Sequence, residues 1–231
     1  MTIDAVLFDF SGTLMRVAPV ADWLRRALTE TGVDMAPAAF DRAVAALDEA
    51  GALPGGSTPA RLPDHLTELW QVRDVDATRH RQLYTGLARQ VELPDEALYN
   101  VLYDHHMTPE AWRPYPDAEQ VLRTLQERGK RVAVVSNIGW DLRPVLRAHG
   151  LERHVDTCVL SYEHGVQKPD PRLFRLACRA LSVDPAATVM VGDDRRADGG
   201  ATALGCGFLP VDHLPVTERP AGLLPVLELV S

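Results

Sequence analysis

Ala5-Val6-Leu7-Phe8 is a short apolar run that stops at a carboxylate, Asp9, and continues into Phe10-Ser11-Gly12-Thr13-Leu14. A run bounded this way reads as a buried strand of a parallel sheet. Roughly a hundred residues then separate it from the helical pattern over residues 116–128 that leads to the next such run, Arg131-Val132-Ala133-Val134-Val135, whereas a parallel crossover needs about a dozen. The excess must be an inserted domain.

The insertion has helical spacing throughout. Val20, Leu24, Ala27 and Leu28 recur at helix intervals, as do Phe40, Val44 and Leu47. Leu66, Leu69 and Trp70 follow, then Leu83, Tyr84, Leu87 and Val91, then Ala97, Leu98, Val101 and Leu102. Gly51, Gly55-Gly56-Ser57, Pro63 and Pro94 punctuate them. The expectation is a four- or five-helix cap over residues 16–112, on a core of residues 1–15 and 113–231. Hinges fall near residues 15–19 and 112–116.

Beyond Val135 the pattern alternates: a helix over residues 140–149 stopped by Gly150, a strand at 157–160, a helix at 171–181, a strand at 188–191, a short helix at 197–204 and a strand at 207–210. Five strands alternating with helices predict a three-layer, Rossmann-like α/β sandwich with a parallel sheet. With 231 residues, 46% of them apolar, the chain can bury such a core. A net charge of −8 argues against a nucleic-acid or anionic-membrane partner. Cys158, Cys178 and Cys206 lack metal or redox spacing and read as reduced thiols. With no leader and no long apolar run, the expected location is the cytoplasm, as a monomer or homodimer.

Three further stretches stand at strand ends or before helices: Ser136-Asn137, Lys168 within Gly165-Val166-Gln167-Lys168-Pro169-Asp170, and Gly192-Asp193-Asp194-Arg195-Arg196-Ala197-Asp198. Together with Asp9-Phe10-Ser11-Gly12-Thr13, this ordered set resembles the four motifs of the haloacid dehalogenase superfamily, over a core of about 130 residues. The resemblance implies a hydrolase, phosphatase-type in the leading reading, acting on a small phosphorylated substrate through an aspartyl-phosphate on Asp9. It implies Mg²⁺ held by Asp9, the Ser11 carbonyl and Asp193, with Asp194 or Asp198 supporting the metal or orienting Lys168. Ser136 and Lys168 would hold the phosphoryl group, Thr13 would fix the turn, and Gly12 and Asn137 would stand beside the substrate. Positive charge at these points answers the repulsion between a carboxylate nucleophile and a phosphate dianion. Arg16 and the Gly55-Gly56-Ser57-Thr58 turn are candidates to touch the leaving group, the turn reading slightly better as a helix connector.

One position departs from the pattern. The family's phosphatases carry a second aspartate, the general acid and base, where this chain has Ser11. A serine hydroxyl is too weakly acidic to replace it, and such help is worth about 10²–10⁴ in rate. Three readings remain: a slow or selective phosphatase favouring acyl or aryl phosphates, a weakened protein that binds a phosphorylated ligand or partner, and a non-phosphate hydrolase such as a dehalogenase. Residues 16–112 contain no lysine, which counts against the phosphonate-cleaving branch. Among the histidines, His105-His106 face different ways on a helix, His149 suits a helix end, and His164 lies near Lys168 in sequence. Trp23, Trp70 and Trp112 read as core.

Overall fold

The computed structural model describes residues 2–230. Strand β1 (Ala5–Phe8) is buried at all four positions and lies at the centre of a five-stranded sheet. It pairs in parallel with β4 (Arg131–Ser136) on one side and β6 (Thr188–Gly192) on the other, while β5 (Thr157–Leu160) and β7 (Gly207–Pro210) close the edges. Phe8 is in register with Val134 and Val191, so Asp9, Ser136 and Asp193 emerge at one carboxyl edge. The order β5-β4-β1-β6-β7 reverses direction beside β1. That reversal opens the crevice in which sheets of this kind bind ligands.

Alternate residues of the strands feed two separate apolar layers, because successive side chains point to opposite faces. Val6, Phe8, Val132, Val134, Val189 and Val191 pack with α6 (Ala118–Glu127), through Val121, Leu122 and Leu125. Ala5, Leu7, Ala133, Val135 and Met190 pack with α9 (Pro171–Leu181), through Leu173, Phe174, Ala177 and Leu181. This is the expected three-layer α/β sandwich.

Helices α1 (Val20–Thr31), α2 (Pro37–Glu49), α3 (Thr67–Gln71), α4 (Ala77–Ala88) and α5 (Ala97–His106) fill the insertion. In α1 the buried face is Val20, Trp23, Leu24 and Ala27, and Trp23 Nε1 donates to the Leu102 carbonyl of α5 at 2.6 Å. The chain passes into and out of these helices through two short strands, β2 (Met15–Val17) and β3 (Trp112–Pro114), which pair antiparallel with Arg16 opposite Arg113. The boundaries expected at 15/16 and 112/113 fall inside this ribbon. Its three-residue strands are too short to leave a period in the sequence. Among the described residues no helix is long and apolar enough to cross a membrane.

Two elements differ from expectation. The helix read over residues 140–149 is shorter, α7 (Arg143–Ala148): Pro144 is tolerated only in a first turn, and Asp141 Oδ1 accepts from the Arg143 amide at 3.0 Å to start it there. The helix read over residues 197–204 is 3₁₀ over Asp198–Leu204. Its Gly199-Gly200 pair is a poor α-helix former. A Cβ on Gly200 would lie 2.6 Å from the Pro169 carbonyl, so Gly200 is kept for close approach. A one-turn helix that the sequence did not announce, α8 (Ser161–His164), follows β5.

Candidate active site

Asp9 follows β1, 8% exposed, with its amide donating to the Val191 carbonyl at 2.9 Å. Lys168 reaches it from the loop before α9: Nζ donates to Asp9 Oδ1 at 2.7 Å, to Asp198 Oδ1 at 2.6 Å and to the Val135 carbonyl at 3.0 Å. Three acceptors use every proton of an ammonium, so its direction is fixed. Asn137 clamps the same loop, accepting from the Lys168 amide at 2.7 Å and donating to the Lys168 carbonyl at 3.0 Å. Its amide is thereby committed to the backbone of Lys168 rather than turned outward.

Asp193 accepts from Thr13 Oγ1 at 3.1 Å, and its other oxygen meets His213 Nδ1. Thr13 thus joins the first motif to the fourth. Gly12 sits between them with φ +81°, and a Cβ there would lie 2.4 Å from Asp193 Oδ2. Both the left-handed backbone and the lack of space require glycine. Asp194 lines the same cavity but commits its Oδ1 locally, accepting from the Arg196 and Ala197 amides at 2.8 and 2.9 Å. Asp198 is fully buried, holding Lys168 with one oxygen and the Asp194 amide with the other at 3.0 Å.

Asp9, Asp193 and Asp198 each bring one carboxylate oxygen within 4.8 Å of the others. Asp9 and Asp198 share the Lys168 ammonium, and Asp193 is held instead by Thr13 and His213. Burial pushes the Asp9 carboxyl up to about 8, Lys168 opposing and Asp198 and Asp193 reinforcing. Burial likewise raises Asp198 against the pull of Lys168. For Asp193 burial pushes upward too, yet the His213 hydrogen bond and charge outweigh it and hold the group below the usual carboxylate range. Burial disfavours the Lys168 cation, but Asp198 and Asp9 outweigh burial and raise its pKa.

These groups open on a cavity of about 220 Å³, lined by Asp9, Ser11, Ser136, Asn137, Lys168 and Asp193 from the sheet edge. From the insertion it receives the Gly55–Thr58 turn, Trp70, Arg73, Asp74, His80 and Tyr84. The turn, read from sequence as a connector, lies directly against the first motif. A Cβ on Gly55 would stand 2.6 Å from Ser11 Oγ, and Arg16 Nη1 donates to the Gly55 carbonyl at 3.0 Å. Trp112 lines the cavity while packing on Phe10, centroids 4.6 Å apart; Trp23 is core, and half-buried Trp70 stacks under Arg73. Of the histidines singled out from sequence, His105 meets Glu30, His106 is buried within the insertion and His149 meets the Pro109 carbonyl. His164 lines a separate groove with Arg172 and Arg175.

Five contributors had no local signal in the sequence: Arg73, Asp74, His80, His213 and Arg219. Arg219 is 4% exposed and donates to the carbonyls of Gly12, Thr13 and Asp212, its guanidinium 3.2 Å from the Tyr115 ring centroid. It fixes the backbone of the first motif from the far end of the chain.

Comparison with known proteins agrees with this geometry. The family described as haloacid dehalogenase-like hydrolase matches residues 3–203. The mouse haloacid dehalogenase-like hydrolase domain-containing protein 3 is 38% identical over 145 residues, which are 56% of this chain and 58% of that protein, so the chain spans under two thirds of that relative. An (S)-2-haloacid dehalogenase 4A of Burkholderia cepacia is 32% identical over 64% of this chain and 70% of its own length. A glyceraldehyde 3-phosphate phosphatase of Methanopyrus kandleri is 30% identical over 83% and 76%. The crystal structure of L-2-haloacid dehalogenase from Xanthobacter autotrophicus superposes with TM-score 0.65 at 23% identity, over 100% of this chain and 85% of that one, a likeness of fold. With the four motifs gathered at one sheet edge and the match running through most of its length, the chain belongs to the haloacid dehalogenase-like hydrolases.

Proposed function

We propose that this hydrolase is a phosphatase that works through an aspartyl-phosphate on Asp9, with the helical insertion acting as its substrate-selecting cap. The observation that carries this reading is the cluster of Asp9, Asp193 and Asp198 carboxylates, of which Lys168 pairs with Asp9 and Asp198 and leaves Asp193 to His213. Such a site is short of positive charge, and its oxygen donors suit a hard divalent cation such as Mg²⁺. Asp9, Asp193 and the Ser11 carbonyl would hold the ion, with Asp198 keeping Lys168 in place. When bound, it supplies charge that offsets repulsion between nucleophile and phosphate.

The residues of the chain do the rest. Asp9 attacks phosphorus while Lys168 steadies its carboxylate. The Ser136 hydroxyl and the amides after Asp9 receive the phosphoryl oxygens, whose charge grows in the transition state. Bond breaking places the electron pair on the leaving oxygen, and water then cleaves the acyl phosphate from Asp9. Ser11 gives no proton, so good leaving groups are favoured. Phosphate release from aryl, acyl and alkyl phosphates, with and without Mg²⁺, tests the reading. Wild type should act fastest on aryl and acyl esters, Asp9→Asn on none, and Ser11→Asp should speed the slower alkyl esters.

A dehalogenase is the second reading, favoured by Ser11, because halide leaves without a proton, and by the Burkholderia cepacia dehalogenase relative at 32% identity. The acidic trio counts against it, since it would repel the carboxylate of a 2-haloacid. Halide release from a 2-haloacid, with no phosphate release from any ester, would put this reading first.

A further inference from the structure

We propose that Asp74, a carboxyl contributed by the helical insertion, protonates the leaving oxygen in place of the acid that Ser11 does not supply. The inference rests on the phosphatase reading above and deepens it.

Asp74 lies in the loop between α3 and α4, 4% exposed, and lines the same cavity as Asp9, Ser11 and Lys168. It is the sole carboxyl among the cavity-lining residues of the insertion. Its backbone is tied to the sheet side of the cavity. The amide donates to Gln167 Oε1 at 3.2 Å, and its carbonyl accepts from Ser161 Oγ at 2.5 Å. Gln167 is the residue before Lys168, so the loop that aims the ammonium also positions Asp74. The carboxyl itself is weakly held. Arg73 Nε is 3.4 Å away but misaligned, leaving that buried donor without an acceptor, and His80 Nε2 is 3.8 Å away. A buried carboxyl without a well-formed partner, facing a catalytic cavity, is free to bond a ligand.

The direction of the reaction explains the placement. In-line displacement puts the leaving oxygen on the side of phosphorus opposite Asp9, which is the side covered by the insertion. Facing Asp74 are Arg73 from its own loop, His80 and Tyr84 of α4, Tyr103 of α5 and Lys168 of the core. His80 is held neutral by burial and Tyr84 is pushed above its ordinary range. Burial raises the Asp74 carboxyl, against Arg73 and Lys168, which favours the protonated form an acid needs. In the step, the bond from Asp9 oxygen to phosphorus forms as the bond to the leaving oxygen breaks. The Asp74 proton moves to that oxygen and an alcohol departs. Asp74 carboxylate then takes a proton from water as the water oxygen bonds phosphorus and the Asp9 O–P bond breaks. This restores the acid, returns the Asp9 carboxylate and releases inorganic phosphate.

The test is kcat/KM for wild type and Asp74→Asn across monoesters whose leaving groups run from nitrophenol to simple alkanols, with acetyl phosphate as the proton-independent reference. The expected result is a loss of about 10²–10⁴-fold on alkyl esters with at most a few-fold change on nitrophenyl and acetyl phosphates. The fall in wild-type alkyl turnover as pH rises, when the acid loses its proton, should vanish in Asp74→Asn and return in Asp74→Glu. Uniform loss across the series would mean a structural role and would overturn the inference, as would an unchanged series with an unchanged pH profile. Silence of wild type on every ester, acetyl phosphate included, would overturn the phosphatase reading and this inference with it.

Discussion

Lys168 Nζ lies as close to Asp198 Oδ1, 2.6 Å, as to the proposed nucleophile. Asp198 is fully buried and Lys168 3% exposed, so neither charge has water to fall back on. Asp198→Ala would leave the ammonium with Asp9 and one carbonyl. Removing one member of a buried pair costs about 3–5 kcal/mol, and the partners that remain place this case near 3. Misplacing Lys168 should further lower phosphate release by about 10²-fold. Urea unfolding and steady-state assays on the same preparation separate the two effects.

Arg219 predicts a long-range effect. It donates to the Gly12 and Thr13 carbonyls, so Arg219→Met should cost about 3 kcal/mol by leaving those acceptors unpaired. Arg219→Lys should recover little, because a compact ammonium lacks the planar fork and the stacking on Tyr115. Denaturant midpoints measure the first effect. A fall in kcat at unchanged KM would show that the loop of Asp9 has shifted.

Two buried histidines should each subtract stability on mild acidification. His106 is fully buried, with burial holding it at about 3 against an ordinary 6.5, and burial holds His80 well below that value too. Their folded pKa values are depressed, so between pH 6.5 and 3 the unfolded chain binds protons that the folded chain refuses. Their contribution is therefore full above 6.5 and is lost as pH drops, by up to about 1.4 kcal/mol per pH unit for each group. The raised carboxyls of Asp9, Asp74 and Asp198 act in the opposite sense. Urea titrations at pH 7, 6 and 5 read this slope, and His106→Gln should lower it by about one proton.

Metal should show itself without turnover. A cation held by Asp9 and Asp193 stabilises the folded state by RT ln(1 + [L]/Kd), about 2.7 kcal/mol at a hundred times Kd. Mg²⁺ should raise the wild-type melting temperature and leave Asp193→Asn unmoved. Asp194→Asn should respond like wild type, since Asp194 caps its own turn.

The sheet was legible because β1, β4 and β6 are buried on both faces and must be continuously apolar. Three of the four motifs were legible because strand ends deliver Asp9, Ser136 and Asp193 to one edge, and Lys168 because it stands just before a helix. Asp193 and Asp194 stand side by side in the sequence, yet only the folded turn separates their tasks. Asp74, His213 and Arg219 left no trace, because nothing periodic or local marks a side chain that reaches the site from a loop. Arg219 reaches Gly12 across 207 positions.

The β2–β3 ribbon has a mechanical consequence. Both covalent routes between the sheet and the five inserted helices run through three residue pairs, one of which sets Arg16 against Arg113. Like charges facing each other across strands loosen the pair. Each guanidinium is drawn aside, Arg113 toward Asp22 and Arg16 toward Gly55 and His213. The narrow neck between sheet and helices is thus kept in register by partners outside it, one on α1 and one on the Gly55 turn.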